Sequence, residues 1–172
     1  MRLLFAFALA STAATAQTSP PMPPPAPPAV GSAEAADTLT TAQASARFLA
    51  EVATRPGVQR SRSGLLWTVD RTGSGQRPTR GETVLAEYVA SLADGTEFDR
   101  SPAREPVRLP IRGVVPGVAE ALQDMRPGET RTLYIPPALA YGARGVPTRT
   151  GGYRVPPDAA LVFQITLVRI VR

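Results

Sequence analysis

The sequence predicts an α+β domain, built from a five-stranded antiparallel sheet and one short helix, with a further helix ahead of it. Three observations predict it. Five segments alternate apolar and polar residues in period two, as strands with one buried face do. One stretch between the third and fourth of them changes to helical spacing. Glycine- and proline-bearing turns punctuate the rest.

From the amino terminus, "MRLLFAFALASTAATAQ" combines Arg2, an apolar run from Leu3 to Ala10 and an Ala14-Thr15-Ala16 cleavage pattern. Residues 1–16 therefore read as a secretory signal peptide. The run is too short to span a bilayer, and no cysteine near the cleavage point offers a lipid anchor. The mature chain is expected to be periplasmic or secreted, with no membrane attachment after cleavage. Residues 17–32 include "TSPPMPPPAPPAVGS", a proline-rich linker that should be extended and semi-stiff. A helical segment is expected over 33–62, with the helix from Ala33 to Thr54. Leu39, Phe48, Leu49 and Val52 give it a thin apolar stripe, and Pro56-Gly57 stops it. Such a helix is marginal alone, so it must dock on the domain or on a second copy.

The domain proper is expected over 63–172. Leu65, Trp67 and Val69 mark its first strand, and Val84, Ala86, Tyr88, Ala90 and Leu92 keep one face of the second. Val107, Leu109 and Ile111 alternate, as do Leu133 and Ile135, and then Leu161, Phe163, Ile165 and Leu167. Gly73-Ser74-Gly75, Asp94-Gly95, Pro127-Gly128 and Pro156-Pro157 supply turns. In "VPGVAEALQDMRPGE", Val118, Ala121, Leu122 and Met125 fall on one helical stripe. Pro116 suits the first turn of that helix and Pro127-Gly128 ends it.

Composition removes whole classes of chemistry. The chain has no histidine, cysteine or lysine, so thiolate and imidazole metal sites, cysteine nucleophiles, histidine-based triads and Schiff bases are excluded. No metal or cofactor is expected. The net charge of +5 comes from arginines set singly among acids, without a basic run, so nucleic acid is not an expected partner.

One loop stands out against this background. "YIPPALAYGARGVP", Tyr134 to Pro147, is turn-rich yet carries an apolar body and a phenol at Tyr141, where turn residues are usually polar. Together with "GETVLAEYVASLADGTEFDRS", "GVVPGVAEALQDMRPGETRTLYIPP" and "VPPDAALVFQITLVRI", it resembles the FKBP-type peptidyl-prolyl cis-trans isomerases. The stretch "ARFLAEVATRPGVQRSRSGLLWTVDRTGSG" is similar to the approach to the domain in exported bacterial members, including the macrophage infectivity potentiator type. The likeness covers Ala46 to the end of the chain.

The resemblance implies a strongly bent sheet wrapped around the short helix, with the pocket between them. It implies catalytic roles for Tyr88, Asp99 and Tyr141, and substrate contacts from Phe98, Val107, Val114, Val115, Val118, Val155 and Phe163. On residue pattern alone, Tyr88 and Phe163 equally suit inward core positions, Val114, Val115 and Val118 ordinary packing, and Asp99 a turn or cap. The implied activity is rotation of X–Pro bonds in proline-containing, unfolded or partly folded exported polypeptides. The alternative is a periplasmic chaperone or binding module that holds proline loops with little turnover. Val118 stands where many members place a tryptophan, Val107 replaces a frequent phenylalanine, and Arg154 occupies a commonly apolar rim position. Macrolide ligands should therefore bind weakly. The helix ahead of the domain is short beside the dimerising helices of some exported members, so a monomer is expected.

Overall fold

The first helix, α1 (Thr41–Ala53), starts at a capping box: Thr40 Oγ1 accepts from Gln43 N, and the Gln43 side chain accepts from Thr40 N. The structure is a computed structural model that describes residues 39–171. The expected signal peptide 1–16, the expected linker 17–32 and the first residues of the predicted helix, 33–38, lie outside the described residues. Leu39, counted in the predicted stripe, precedes the cap and is exposed, so the working stripe is Phe48, Leu49 and Val52.

The sheet strands follow as β1 (Gln59–Arg60), β2 (Leu66–Arg71), β3 (Thr83–Leu92), β4 (Glu97–Arg100) and β5 (Val107–Pro110). A single 3-10 turn (Ile111–Gly113) then leads into helix α2 (Pro116–Asp124), followed by β6 (Thr130–Ile135). Two further 3-10 turns, Pro137–Leu139 and Gly142–Arg144, precede the small strands β7 (Val146–Pro147) and β8 (Tyr153–Val155), and β9 (Leu161–Val171) closes the chain. The main sheet is antiparallel and has seven strands in the order β1-β2-β6-β9-β3-β4, with β5 also on β3. The five alternating segments correspond to β2, β3, β5, β6 and β9. The strand count of five is thus too low: β1 is too short to alternate, and β4 carries Phe98-Asp99 without an alternating apolar face. β7 and β8 form a separate two-stranded hairpin.

β3 is the strand that shapes the site. One edge pairs along its whole length with β9, from Thr83 opposite Val171 to Leu92 opposite Leu161. Its other edge is shared, with Thr83–Ala86 taken by β5 and Val89–Ser91 by β4. The chain leaves the sheet between those two partners. Ser101 closes the gap: its N–H donates to Tyr88 O at 3.0 Å, and its Oγ accepts from Tyr88 N at 3.0 Å. Both backbone groups of Tyr88 are therefore satisfied where the ladder is interrupted.

α2 lies on the inner face of this sheet. Val118, Ala121, Leu122 and Met125 are buried there against Leu133, Ile135, Leu161, Ile165 and Leu167. Gly117 permits the approach, since a Cβ on it would sit 2.5 Å from Ile135 Cγ2. Beneath the end of the helix, buried Arg131 pairs with buried Glu129 at 2.5 Å and with Asp124 at 3.2 Å, and stacks over Trp67 at 5.5 Å. Alternation fades along β2: Val69 shares the face of Trp67 but is exposed beside a register shift.

α1 covers the outer face of β2 and β6. Phe48 meets Tyr134 with ring centroids 6.1 Å apart, and Val52 and Leu66 are buried. Its second turn is also pinned to the loop before β9. Buried Ser45 donates to Asp158 O and accepts from Ala160 N, both at 2.8 Å. The helix therefore docks on its own domain.

Candidate functional site

Between α2 and the concave face of the sheet lies a cavity of about 220 Å³. Its floor is aliphatic: Val118 from α2, Val114 and Val115 from the segment before it, Leu109 from β5 and Ile165 from β9. Aromatic residues form the wall and lip. Tyr88 and Phe163 stack with centroids 6.0 Å apart and 27° between planes, and Tyr141 closes the opening. Tyr88, Asp99, Val114, Val115, Val118, Tyr141 and Phe163, all expected from the sequence, share this one concavity.

Three expected residues sit elsewhere. Phe98 packs edge-on against Phe163 at 6.1 Å and does not itself line the cavity. Val107 stands opposite Ala86 on β5 and does not line the cavity, whereas Leu109, two residues on and on the same face, does. Val155 is fully buried in the core. The cause is strand alternation in β8: Val155 turns inward, so its neighbour Arg154 turns to the mouth. Leu109 and Ile165 carried a signal as alternating strand residues, Ile165 directly opposite Tyr88. Gly113 also lines the cavity and gave no signal.

The polar groups of the site form a chain. Tyr88 Oη donates to Asp99 Oδ2 at 2.9 Å, and Arg154 pairs through Nη2 with Asp99 Oδ1 at 3.1 Å. Arg154 Nε also donates to Phe98 O at 2.8 Å, which ties β8 to β4 across the mouth. Burial pushes the Tyr88 phenol up to about 12, helped by its hydrogen bond to the Asp99 carboxylate and by that carboxylate's charge, with Arg154 opposing. Tyr88 is thus a neutral donor to Asp99 at every physiological pH. Tyr141 differs. Its ring is 38% exposed and its hydroxyl has no hydrogen-bond partner among the described residues.

The loop that presents Tyr141 is held tightly. Gly142 O accepts from Asp158 N at 2.9 Å. Gly145 adopts φ +58, and a Cβ there would lie 2.5 Å from Val155 O and 2.8 Å from Pro157 N. The loop thus packs directly on the segment that Ser45 pins. Among the described residues no group of three or more acidic side chains is arranged to hold a metal ion. What the arrangement offers is an apolar hollow, an oriented carboxylate and, at its lip, the Tyr141 hydroxyl. Those elements suit recognition of a planar, apolar ring flanked by carbonyls.

The family model for FKBP-type peptidyl-prolyl cis-trans isomerase matches residues 74–168. The FKBP-type peptidyl-prolyl cis-trans isomerase FkpA of Escherichia coli is 40% identical over 115 residues, 66% of this chain and 40% of that protein. The peptidyl-prolyl cis-trans isomerase Mip of Coxiella burnetii is 38% identical over 130 residues, 75% of this chain and 54% of that protein. The chain thus spans only about half the length of these relatives. A crystal structure of a peptidyl-prolyl cis-trans isomerase from Pseudomonas syringae superposes with a TM-score of 0.69 at 33% identity, covering 77% of this chain and 94% of that one.

Proposed function

The chain belongs to the FKBP-type peptidyl-prolyl cis-trans isomerase family, and we propose that it accelerates rotation about X–Pro bonds in exported polypeptides. The observation that carries the reading is the joint one. An aliphatic floor, two stacked rings and a hydroxyl with no partner among the described residues enclose one cavity, with Asp99 held at its edge.

Rotation about an X–Pro bond faces a barrier of roughly 18–20 kcal/mol, which comes from loss of amide resonance. No bond to a heavy atom breaks, so neither a nucleophile nor a general base is needed. That suits a chain with no histidine, cysteine or lysine. The planar amide has a larger dipole than the twisted one, so an apolar enclosure disfavours the ground state more. In this reading the prolyl ring rests on Val118, Val114 and Val115 between Tyr88 and Phe163. The Tyr141 hydroxyl donates to a substrate carbonyl as the bond twists, and Asp99, oriented by Tyr88 and Arg154, polarises the carbonyl region. A thousandfold acceleration needs about 4 kcal/mol, which an apolar cleft and one or two hydrogen bonds supply.

The substrates are proline-containing segments of unfolded or partly folded chains, met in the periplasm or outside the cell. Val118 gives the floor less area than a ring would, so macrolide ligands bind weakly. Because α1 is occupied on its own domain, the chain acts as a monomer. A proline-isomer assay on the purified chain tests the activity. A cis-to-trans rate above the uncatalysed one is expected, and no rate above background would sink the reading.

A further inference from the structure

We propose that the mouth of the cavity selects proline segments bearing acidic residues next to the proline. The inference rests on the reading of the cavity as the prolyl site and goes on to name what that site prefers. From Gly142 to Asp158 the chain leaves the lip of the cavity after Tyr141 and is tied back to it through Arg154 and Asp99, and it contains Arg144, Arg149 and Arg154 against one acid, Asp158, whose N–H donates to Gly142 O. Arg144 ends the 3-10 turn that begins directly after Tyr141, and Arg149 lies in the turn of the β7–β8 hairpin.

Arg154 fixes that hairpin to the opposite side. Its Nε donates to the Phe98 carbonyl and its Nη2 pairs with Asp99, so the loop's charge is anchored at the opening. The pairing also changes what a substrate meets. A lone Asp99 would repel an acidic neighbour of the proline, but its charge is balanced by Arg154. The other acid of β4, Glu97, is paired with Arg100 at 2.5 Å. Arg144 and Arg149 have no ion-pair partner among the described residues. The loop beside the mouth therefore carries more unpaired cation than acid, Arg144 and Arg149 against Asp158, next to two exposed rings, Tyr141 and Tyr153. Such a surface attracts carboxylates and gives their apolar neighbours a place to rest.

Short peptides with glutamate, leucine or lysine before proline test this, with isomer exchange followed by NMR so that no coupling protease imposes its own preference. At low ionic strength kcat/KM for the Glu-Pro probe should exceed that for Lys-Pro by about tenfold. The ratio should fall toward unity near 1 M salt, where charges are screened within about 3 Å. Replacing Arg144→Gln, Arg149→Gln and Arg154→Gln together should abolish the ratio. The control Arg47→Gln, Arg60→Gln and Arg62→Gln makes the same change in net charge away from the mouth and should keep it. Should the first variant fail to fold, the double variant Arg144→Gln, Arg149→Gln leaves the Arg154–Asp99 pair intact and must still lower the ratio. Equal kcat/KM for Glu-Pro and Lys-Pro while Leu-Pro is turned over would overturn the proposal and leave the isomerase reading standing. Turnover of none of the three would strike the isomerase reading instead. Binding of fluorescent acidic and basic proline peptides then decides this proposal, with equal affinities overturning it.

Discussion

Tyr141→Phe separates the chemistry of the lip from the stability of the fold. The hydroxyl of Tyr141 bonds to no described residue, and its ring is partly exposed, so removing one oxygen takes nothing from the folded state. Stability should change by less than about 0.5 kcal/mol. In the proposed reaction the same oxygen donates to a substrate carbonyl. A neutral hydrogen bond of that kind is worth about 0.5–1.5 kcal/mol. At 1.36 kcal/mol per decade, kcat/KM should fall roughly 2- to 13-fold. Tyr88→Phe is the internal contrast. Its hydroxyl serves Asp99 at 2.9 Å, so its loss should cost about 1 kcal/mol of stability. Chemical denaturation and isomer exchange, measured on both variants, give the four numbers required. An unchanged kcat/KM for Tyr141→Phe would refute the role of the hydroxyl. A large stability loss in that variant would refute the claim that the oxygen is unpartnered.

Other perturbations follow from the same geometry. Ser45→Ala strands the buried Ala160 N–H and the Asp158 carbonyl, so stability should fall by about 1–3 kcal/mol in denaturant titration although alanine is the better helix former. A loss below about 0.5 kcal/mol would mean that water replaces the hydroxyl. Gly145→Ala drives a methyl into the Val155 and Pro157 backbone at a positive φ, and should cost more than about 2 kcal/mol and lower kcat/KM by moving Tyr141. Normal stability in that variant would show the loop to be soft. The raised pKa of Tyr88, about 12 against an ordinary 10.0, also has a pH signature. Folding favours the neutral phenol, so this contribution is fully present below pH 10 and disappears as pH rises through about 12. Phenolate absorbance should include a late-titrating group that Tyr88→Phe removes, and its presence in that variant would contradict the assignment.

The sequence by itself determined the interior. The stripe of Val118, Ala121, Leu122 and Met125, and the alternation along β3, β6 and β9, follow from local backbone periods meeting one buried face. A single buried face leaves its print in the chain, so the layers and most floor residues were legible. The short strands β1 and β4 were not, because two or four residues pair through their backbones without repeating an apolar face. Alternation likewise marks an inward residue without saying what lies inward. Leu109 and Val155 both pack into the core, yet only Leu109 meets the cavity, and Val107, alternating with Leu109 on the same strand, does neither.

Tertiary structure decided the polar rim and the use of α1. Asp99 and Arg154 stand 55 residues apart in the chain, and Ser45 and Ala160 stand 115 apart. Each pair is joined by how the hairpin and the helix dock on the sheet, and no local period records such docking. Leu66 and Tyr134 interrupt the outward polar pattern of their strands for the same reason: the helix that covers them comes from earlier in the sequence. Burial against a neighbouring layer is a collective property, fixed only once the strands have found their order.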